Sequence, residues 1–239
     1  MALYVMADTH LSLSVDKPMD VFGGRWQSHA EKIKKNWEAL ITEDDTVVIP
    51  GDLSWGMNME EAAEDLLFLA SLPGKKIFSR GNHDYFWGSL AKLRAFFASH
   101  GIEGIDYLQN NAIRAEGAVI VGSRGWFIDP SDTPREADHA KIAAREALRL
   151  EMSLKAGKEI AEEGEELIAF FHFPPVFGDF VCEETVALLK EYGVKRAYYG
   201  HIHGAYHVPP VREYEGIKFH IISADYLNFI PQRINVEKS

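Results

Sequence analysis

The sequence predicts an α/β fold, and two observations carry that prediction. Strand-length apolar runs alternate with stretches of helical periodicity through the first part of the chain, in the order βαβαβα of a parallel sheet. Short apolar runs at 3–6, 47–49, 77–78, 167–171 and 197–199 are each bounded by Gly, Pro or Asp, and read as buried strands.

Taken in order, strand one is predicted over residues 2–7. A long segment from Leu11 to Trp26 follows, carrying Pro18, Gly23 and Gly24. It exceeds the usual length of a connection, so residues 11–28 are expected to form a lid. Helix one is predicted over 27–41, with Ile33, Trp37 and Leu40 on one face. Strand two covers 46–49. Asn58 caps helix two, with Glu61 closing a capping box, and the helix stops before Pro73-Gly74. Strand three covers 76–79, and helix three covers 89–99 and ends at Gly101. Short strands are predicted at 107–108, 112–114 and 118–122. Thr133-Pro134-Arg135-Glu136 reads as a helix start. That helix is predicted to run to residue 156, with Ala140, Ala143, Ala144, Ala147, Leu148, Leu150 and Leu154 as its apolar face. A strand at 167–171, a helix at 183–192 and a strand at 196–199 follow. Residues 206–208, 216–223 and 227–234 read as closing antiparallel strands.

The chain has 239 residues, which fits one domain over 1–239 with lid elements at 11–28 and 123–165. It is 46% hydrophobic and 26% charged, an ordinary globular composition. Its net charge, 25 − 36 = −11, disfavours a broad nucleic-acid surface or an anionic membrane surface. Cys182 is the single cysteine, so no internal disulfide forms; it reads as a small buried residue rather than a nucleophile. The first strand begins at residue 2 or 3, so no cleavable leader is expected. No run approaches the ~20 apolar residues of a membrane span. The expectation is a cytoplasmic protein, with its oligomeric state open.

The strands are followed by chemistry. Asp8-Thr9-His10, Gly51-Asp52, Gly81-Asn82-His83-Asp84, His172 and Gly200-His201-Ile202-His203 each come directly after an apolar run. Carboxylate, carboxamide and imidazole groups bind hard and borderline metals, and ligands of open α/β sheets sit at the carboxyl ends of strands. In D-x-H and H-x-H, an extended backbone would point both ligands the same way. The glycines before Asp52, Asn82 and His201 would let backbone approach the metals.

The five blocks, in this order and spanning residues 8 to 203, resemble the calcineurin-like metallophosphoesterases, whose pattern is D-x-H, G-D, G-N-H-[DE], His, G-H-x-H. The resemblance implies a sandwich of two mixed β-sheets flanked by helices. It implies two metal ions, manganese foremost, with iron, zinc or magnesium as alternatives. Asp52 would bridge them. Asp8, His10 and His203 would complete one site; Asn82, His172 and His201 would complete the other. A metal-bridging hydroxide would attack a small phosphomonoester or phosphodiester in line. His83 would donate a proton to the leaving oxygen or contact a phosphoryl oxygen, with Asp84 orienting its ring.

Trp55, Trp87 and Arg124 are candidate substrate contacts, the first two as an aromatic wall and the third on a phosphate. Packing under the loops, or a surface ion pair, is the plain alternative for each. Among the remaining histidines, His100 reads as a helix cap and His139 as solvent-facing. His29 draws notice because it follows the long loop. Leu53-Ser54-Trp55-Gly56 after Asp52 lacks the arginine that serine/threonine protein phosphatases carry there, which disfavours phosphoprotein. A nuclease or nucleotide pyrophosphatase using the same site is the alternative enzyme. A non-catalytic scaffold is the alternative class, disfavoured because His83 and every ligand position are retained.

Overall fold

Side-chain alternation with period two sorts each strand into two faces, and the faces define the layers. The computed structural model describes residues 1–128 and 136–236. The strands are β1 (Leu3–Val5), β2 (Thr46–Pro50), β3 (Lys75–Ser79), β4 (Ile105–Tyr107), β5 (Ile113–Ala115), β6 (Ala118–Ser123) and β7 (Glu166–Phe171), then β8 (Val176–Phe177), β9 (Phe180–Val181), β10 (Arg196–Tyr199), β11 (Val211–Tyr214), β12 (Ile217–Ile221) and β13 (Gln232–Ile234). The helices are α1 (His29–Leu40), α2 (Met59–Ser71), α3 (Leu90–Ser99), α4 (Glu136–Ile160) and α5 (Glu183–Glu191).

Leu3, Val5, Val48 and Ile77 face Ile120, Ile168, Phe170 and Tyr198 in one buried cluster. This is the interface between two sheets. Tyr4, Met6, Val47, Ile49 and Phe78 point the other way, onto Ile33, Trp37, Leu66, Leu69, Leu93 and Phe97 of α1, α2 and α3. Val119, Val121, Leu167 and Ala169 likewise meet Leu150 and Leu154 of α4 and Val186 and Leu189 of α5. The result is four layers, helix–sheet–sheet–helix. Each fully buried Leu, Ile or Val contributes about 1.5–3 kcal/mol relative to exposure, so the three clusters are the main source of cohesion.

One sheet has the order β13-β1-β2-β3-β4 and the other β11-β12-β10-β7-β6-β5; β8 and β9 form a separate hairpin. Strands β1 to β4 run parallel, and β13 pairs antiparallel with β1. In the second sheet β6, β7, β10 and β12 run parallel, with β5 and β11 antiparallel at its edges. Both sheets are mixed. The carboxyl ends of β1, β2 and β3 meet those of β7 and β10, and the end of β1 is stitched to the segment after β12 by the hydrogen bonds Ala7 N–H to Ile222 O and Ala224 N–H to Ala7 O, both 2.9 Å.

Some local expectations differ from the structure. Residues 206–208 form a turn, and the edge strand is β11 instead. The strand expected at 216–223 is β12, which pairs antiparallel with β11 but parallel with β10. Only 232–234 of the last predicted strand is extended. Leu40 and Leu148 are 42% and 63% exposed, so the inward faces of α1 and α4 are narrower than the sequence pattern draws them. Asn58 caps α2 through Glu60 N–H and Glu61 N–H, while the Glu61 carboxylate reaches back to Met57 N–H rather than to Asn58 N–H. The start predicted at Thr133-Pro134 lies outside the described residues. Cys182 sits buried before α5, accepting a hydrogen bond from Thr185 Oγ1 at 3.2 Å, and burial pushes its thiol up. No described helix is long and apolar enough to cross a membrane.

Candidate metal centre

The five sequence blocks converge where the two sheets join. Asp8, His10, Asp52 and His201 adopt left-handed backbone, with φ of 59°, 43°, 53° and 68°. Such conformations in non-glycine residues cost energy and concentrate at functional sites. They also correct the argument from extended backbone: Asp8 and His10 share a side because the chain turns sharply, not because it runs straight. The glycines do permit close approach. A Cβ on Gly81 would overlap the Asp52 carboxylate, and one on Gly200 would overlap that of Asp8.

Two groups of ligand-type side chains result, Asp8–His10–His203 and Asp52–His172–His201, each with its donor atoms within 4.8 Å of one another. Asp52 Oδ2 stands 3.6 Å from His10 Nε2 and 3.5 Å from His172 Nε2, between the two groups. His10 Nε2 lies 3.2 Å from His203 Nε2, and His172 Nε2 lies 2.6 Å from Asn82 Oδ1. His172 Nδ1 is 3.5 Å from Asp8 Oδ1.

The electrostatics fit a cation on each side. Asp8, His10, Asp52 and His172 are buried, and Asp8 Oδ1, His10 Nδ1, Asp52 Oδ2 and His172 Nδ1 have no hydrogen-bond partner. Burial, reinforced by Asp84 and Asp8, pushes the Asp52 carboxyl well above the usual carboxylate range. Burial also pushes His10 and His172 down, keeping both rings neutral and their lone pairs available. Buried carboxylates without partners beside neutral imidazoles are costly unless a cation compensates.

The residues around this centre divide into several roles. Asp84 accepts hydrogen bonds from the backbone N–H groups of Asp52, Leu53 and Gly81 at 2.9, 2.7 and 2.7 Å. It therefore clamps the Gly51-Asp52 turn to the Gly81-Asn82 turn, in place of the expected role of orienting the His83 ring. His83 Nδ1 has no partner, and burial, aided by His203 and Lys17, brings that ring down to about 4. Its backbone N–H donates to Asp52 Oδ1 at 2.8 Å.

Asp225 is a member of the site that the motifs do not reveal. It is fully buried and accepts from His203 Nδ1 at 2.8 Å, Gly204 N–H at 3.0 Å and Tyr206 O–H at 3.0 Å. Burial would raise its carboxyl, but the bond to and charge of His203 hold it below its ordinary value. A carboxylate behind a ligating imidazole fixes the ring's tautomer and direction. Its signal in the sequence is its place in the loop that follows β12, as the ligand-type residues lie in the loops after their own strands.

Trp55 stacks on His10 at 4.9 Å and lies 4.2 Å from His83, with Lys17 Nζ 4.3 Å over its ring. Trp87 is 3% exposed within the core against α3, so its main part is packing. Arg124 turns to Glu146, 4.0 Å away, and stands 5.6 Å over Phe173. His29 backs the centre by contacting His10 O at 3.1 Å. His100 caps α3 as expected, but His139 is buried and accepts from Trp126 Nε1–H at 3.1 Å, so it does not face solvent. The segment after Leu11 is pinned down: Leu11 N–H bonds Leu53 O at 3.0 Å, Leu13 N–H bonds Asp65 Oδ1 at 2.8 Å, and Trp26 is buried 5.5 Å from His203. Met19, Phe22 and Trp26 of this segment, with Trp55, His83 and Tyr206, line an apolar pocket of about 470 Å³ that opens onto His10 and His203.

A family model described as calcineurin-like phosphoesterase matches residues 1–205. The uncharacterized protein MJ1445 of Methanocaldococcus jannaschii is 32% identical over 85 residues, which is 35% of this chain and 47% of that protein. The match thus spans about half the length of that relative (47%). Among solved structures, TT1561 of Thermus thermophilus superposes with a TM-score of 0.57 at 15% identity, covering 99% of this chain and 100% of that one. Phosphopantetheinyl hydrolase from Mycobacterium tuberculosis superposes with a TM-score of 0.54 at 16% identity, covering 98% and 95%. At these identities the likeness is one of fold.

Proposed function

The chain belongs to the calcineurin-like phosphoesterase family, and from that premise we propose that it hydrolyses a small phosphomonoester or phosphodiester with two metal ions. The observation that carries this reading is Asp52 Oδ2, placed 3.6 and 3.5 Å from imidazoles of the two ligand groups. Asp8, His10 and His203 would hold one ion, Asn82, His172 and His201 the other, and Asp52 both. When bound, the ions supply Lewis acidity toward the phosphoryl oxygens and lower the pKa of water. The family resemblance favours manganese, and the nitrogen and oxygen donors are compatible with manganese, iron, zinc or magnesium.

The protein's own groups supply orientation and selection. Asp84 and Asp225 hold the loops and the His203 ring in place. His83, at the mouth of the centre and kept neutral, offers an imidazole N–H to a phosphoryl oxygen rather than an imidazolium to the leaving group. The apolar pocket beside His10 receives the ester's organic part, with Trp55 as its face. A cytoplasmic location and a small-molecule substrate remain part of this reading. The test is a panel of monoesters, diesters and nucleotides assayed with each metal. Hydrolysis that vanishes on chelation and returns with a divalent ion is expected. A protein that binds two ions yet cleaves none of these esters would overturn the reading.

A further inference from the structure

A second cavity, of about 380 Å³, runs against the chain's overall charge. Arg80, Arg124, Arg145 and Arg149 line it around one acidic side chain, Glu146, in a protein of net charge −11. Glu146 is 2% exposed, with Oε1 at 2.6 Å from Arg149, 3.9 Å from Arg145 and 4.0 Å from Arg124. One carboxylate cannot neutralise four guanidinium groups. Arg80 makes no ion pair among the described residues, and Arg124 Nε is buried without a hydrogen-bond partner. Burial, with Glu146 opposing it and the other three arginines adding to it, holds Arg124 below its ordinary value, as in a region of surplus positive charge. Arg145 and Arg149 lie on α4 with Glu146, so only the Arg124–Glu146 pair links α4 to the loop after β6, and the cluster carries more cationic groups than that link requires.

The cavity adjoins the metal centre through the chain itself. Arg80 precedes the Gly81-Asn82 turn. The Arg124 carbonyl accepts from Phe173 N–H at 2.9 Å, and the Phe173 ring stands 4.5 Å from His201 and 4.9 Å from His172. The cavity therefore lies on the Asn82–His172–His201 side, apart from the apolar pocket beside His10 and His203.

We propose that this cavity is a subsite for a second anionic group, a phosphate or carboxylate carried by the same molecule whose ester the metal centre cleaves. The proposal rests on the phosphoesterase reading and narrows its substrate to small, doubly anionic esters. Planar guanidinium forks recognise such groups in bidentate fashion. Arg145 and Arg149 are 56% and 44% exposed and have room to reorient around a ligand. Glu146 sets the affinity by competing for the same donors.

The experiment compares matched substrates on the full-length, metal-loaded protein: fructose 6-phosphate against fructose 1,6-bisphosphate, and adenosine 5′-phosphate against adenosine 3′,5′-bisphosphate. The doubly anionic member should be preferred in kcat/KM in at least one pair. Arg145→Gln with Arg149→Gln should lower that preference about tenfold, mainly through KM. Glu146→Gln should raise it, an opposite sign that general loss of folding does not produce. A preference for the singly charged esters, or one indifferent to these changes, overturns the subsite. Calorimetric titration with inorganic phosphate separates this from the parent reading. Binding that survives Asp52→Asn but is lost with the two arginine changes supports the anion site even where no ester is cleaved. Binding indifferent to the arginines counts against it.

Discussion

Asp225 reaches the metal centre only through His203. Its carboxylate takes three hydrogen bonds, so Asp225→Asn keeps the shape but removes the charge behind the ring. Metal affinity is expected to fall about 10–100-fold, measured by competition with a chelator; unchanged affinity would reduce Asp225 to a packing role. His83 lies closer to the chemistry. Removing a preorganised donor lowers kcat about 10²–10³-fold, and His83→Ala should do so equally for nitrophenyl and alkyl esters. A deficit that shrinks with better leaving groups would instead assign proton donation to His83. His220 is remote from the centre and stacks on Tyr198 at 4.5 Å. Burial, then Arg196 and Lys218, bring its ring from 6.5 down to about 4. The unfolded chain takes up a proton below 6.5 that the fold refuses until about 4. Its stability contribution is therefore full above 6.5 and lost as pH falls toward 4, an effect on the order of 1–3 kcal/mol. His220→Phe should flatten urea-denaturation stability over that range; an unchanged slope would place the titration elsewhere. The motif residues are legible in the sequence because each is a ligand type at a strand end. The role of Asp84 is not, because its partners are backbone N–H groups that only the folded turn at Gly51-Asp52 presents.

The segment between β1 and α1 has the length of a lid, and it supplies Met19, Phe22 and Trp26 to the wall of the apolar pocket. Met19, Phe22 and Trp26 reach the pocket mouth because Leu11 and Leu13 tie the segment's start to the Asp52 loop and to α2. Length alone announces a special segment; its anchoring depends on Asp65, a helix residue whose buried carboxylate has no sequence signature. Trp55 completes the wall. Trp55→Ala should lower the ratio of kcat/KM for aryl over small alkyl phosphates several-fold, and a ratio that stays constant while Tm drops would make Trp55 a packing residue. Strand direction is the least legible property. The alternation in β12 locates a strand, but its parallel pairing with β10 is decided by the crossover through β11. The hairpin of β8 and β9 escapes sequence reading because each strand is two residues long, too short for periodicity to register.

At the scale of the molecule, two mixed sheets pack face to face so that five strand ends, three from one sheet and two from the other, bring ligand-type side chains to one place. The order of motifs makes the convergence readable without the sheets. Which strands share a sheet is not readable that way, because pairing follows from burial on both faces rather than from any single segment. The same arrangement leaves an apolar pocket and an arginine-lined cavity at the centre's margins, in a chain that is otherwise acidic. The central claim is that the two ligand groups act together as one dinuclear phosphoesterase. Its most direct test is to titrate metal-free protein with Mn²⁺ while following hydrolysis of an aryl phosphate ester, with Asp52→Asn in parallel. Activity that rises to a plateau at two equivalents, and is absent in the variant, is the predicted result. A plateau at one equivalent, or near-native turnover by Asp52→Asn, would contradict it.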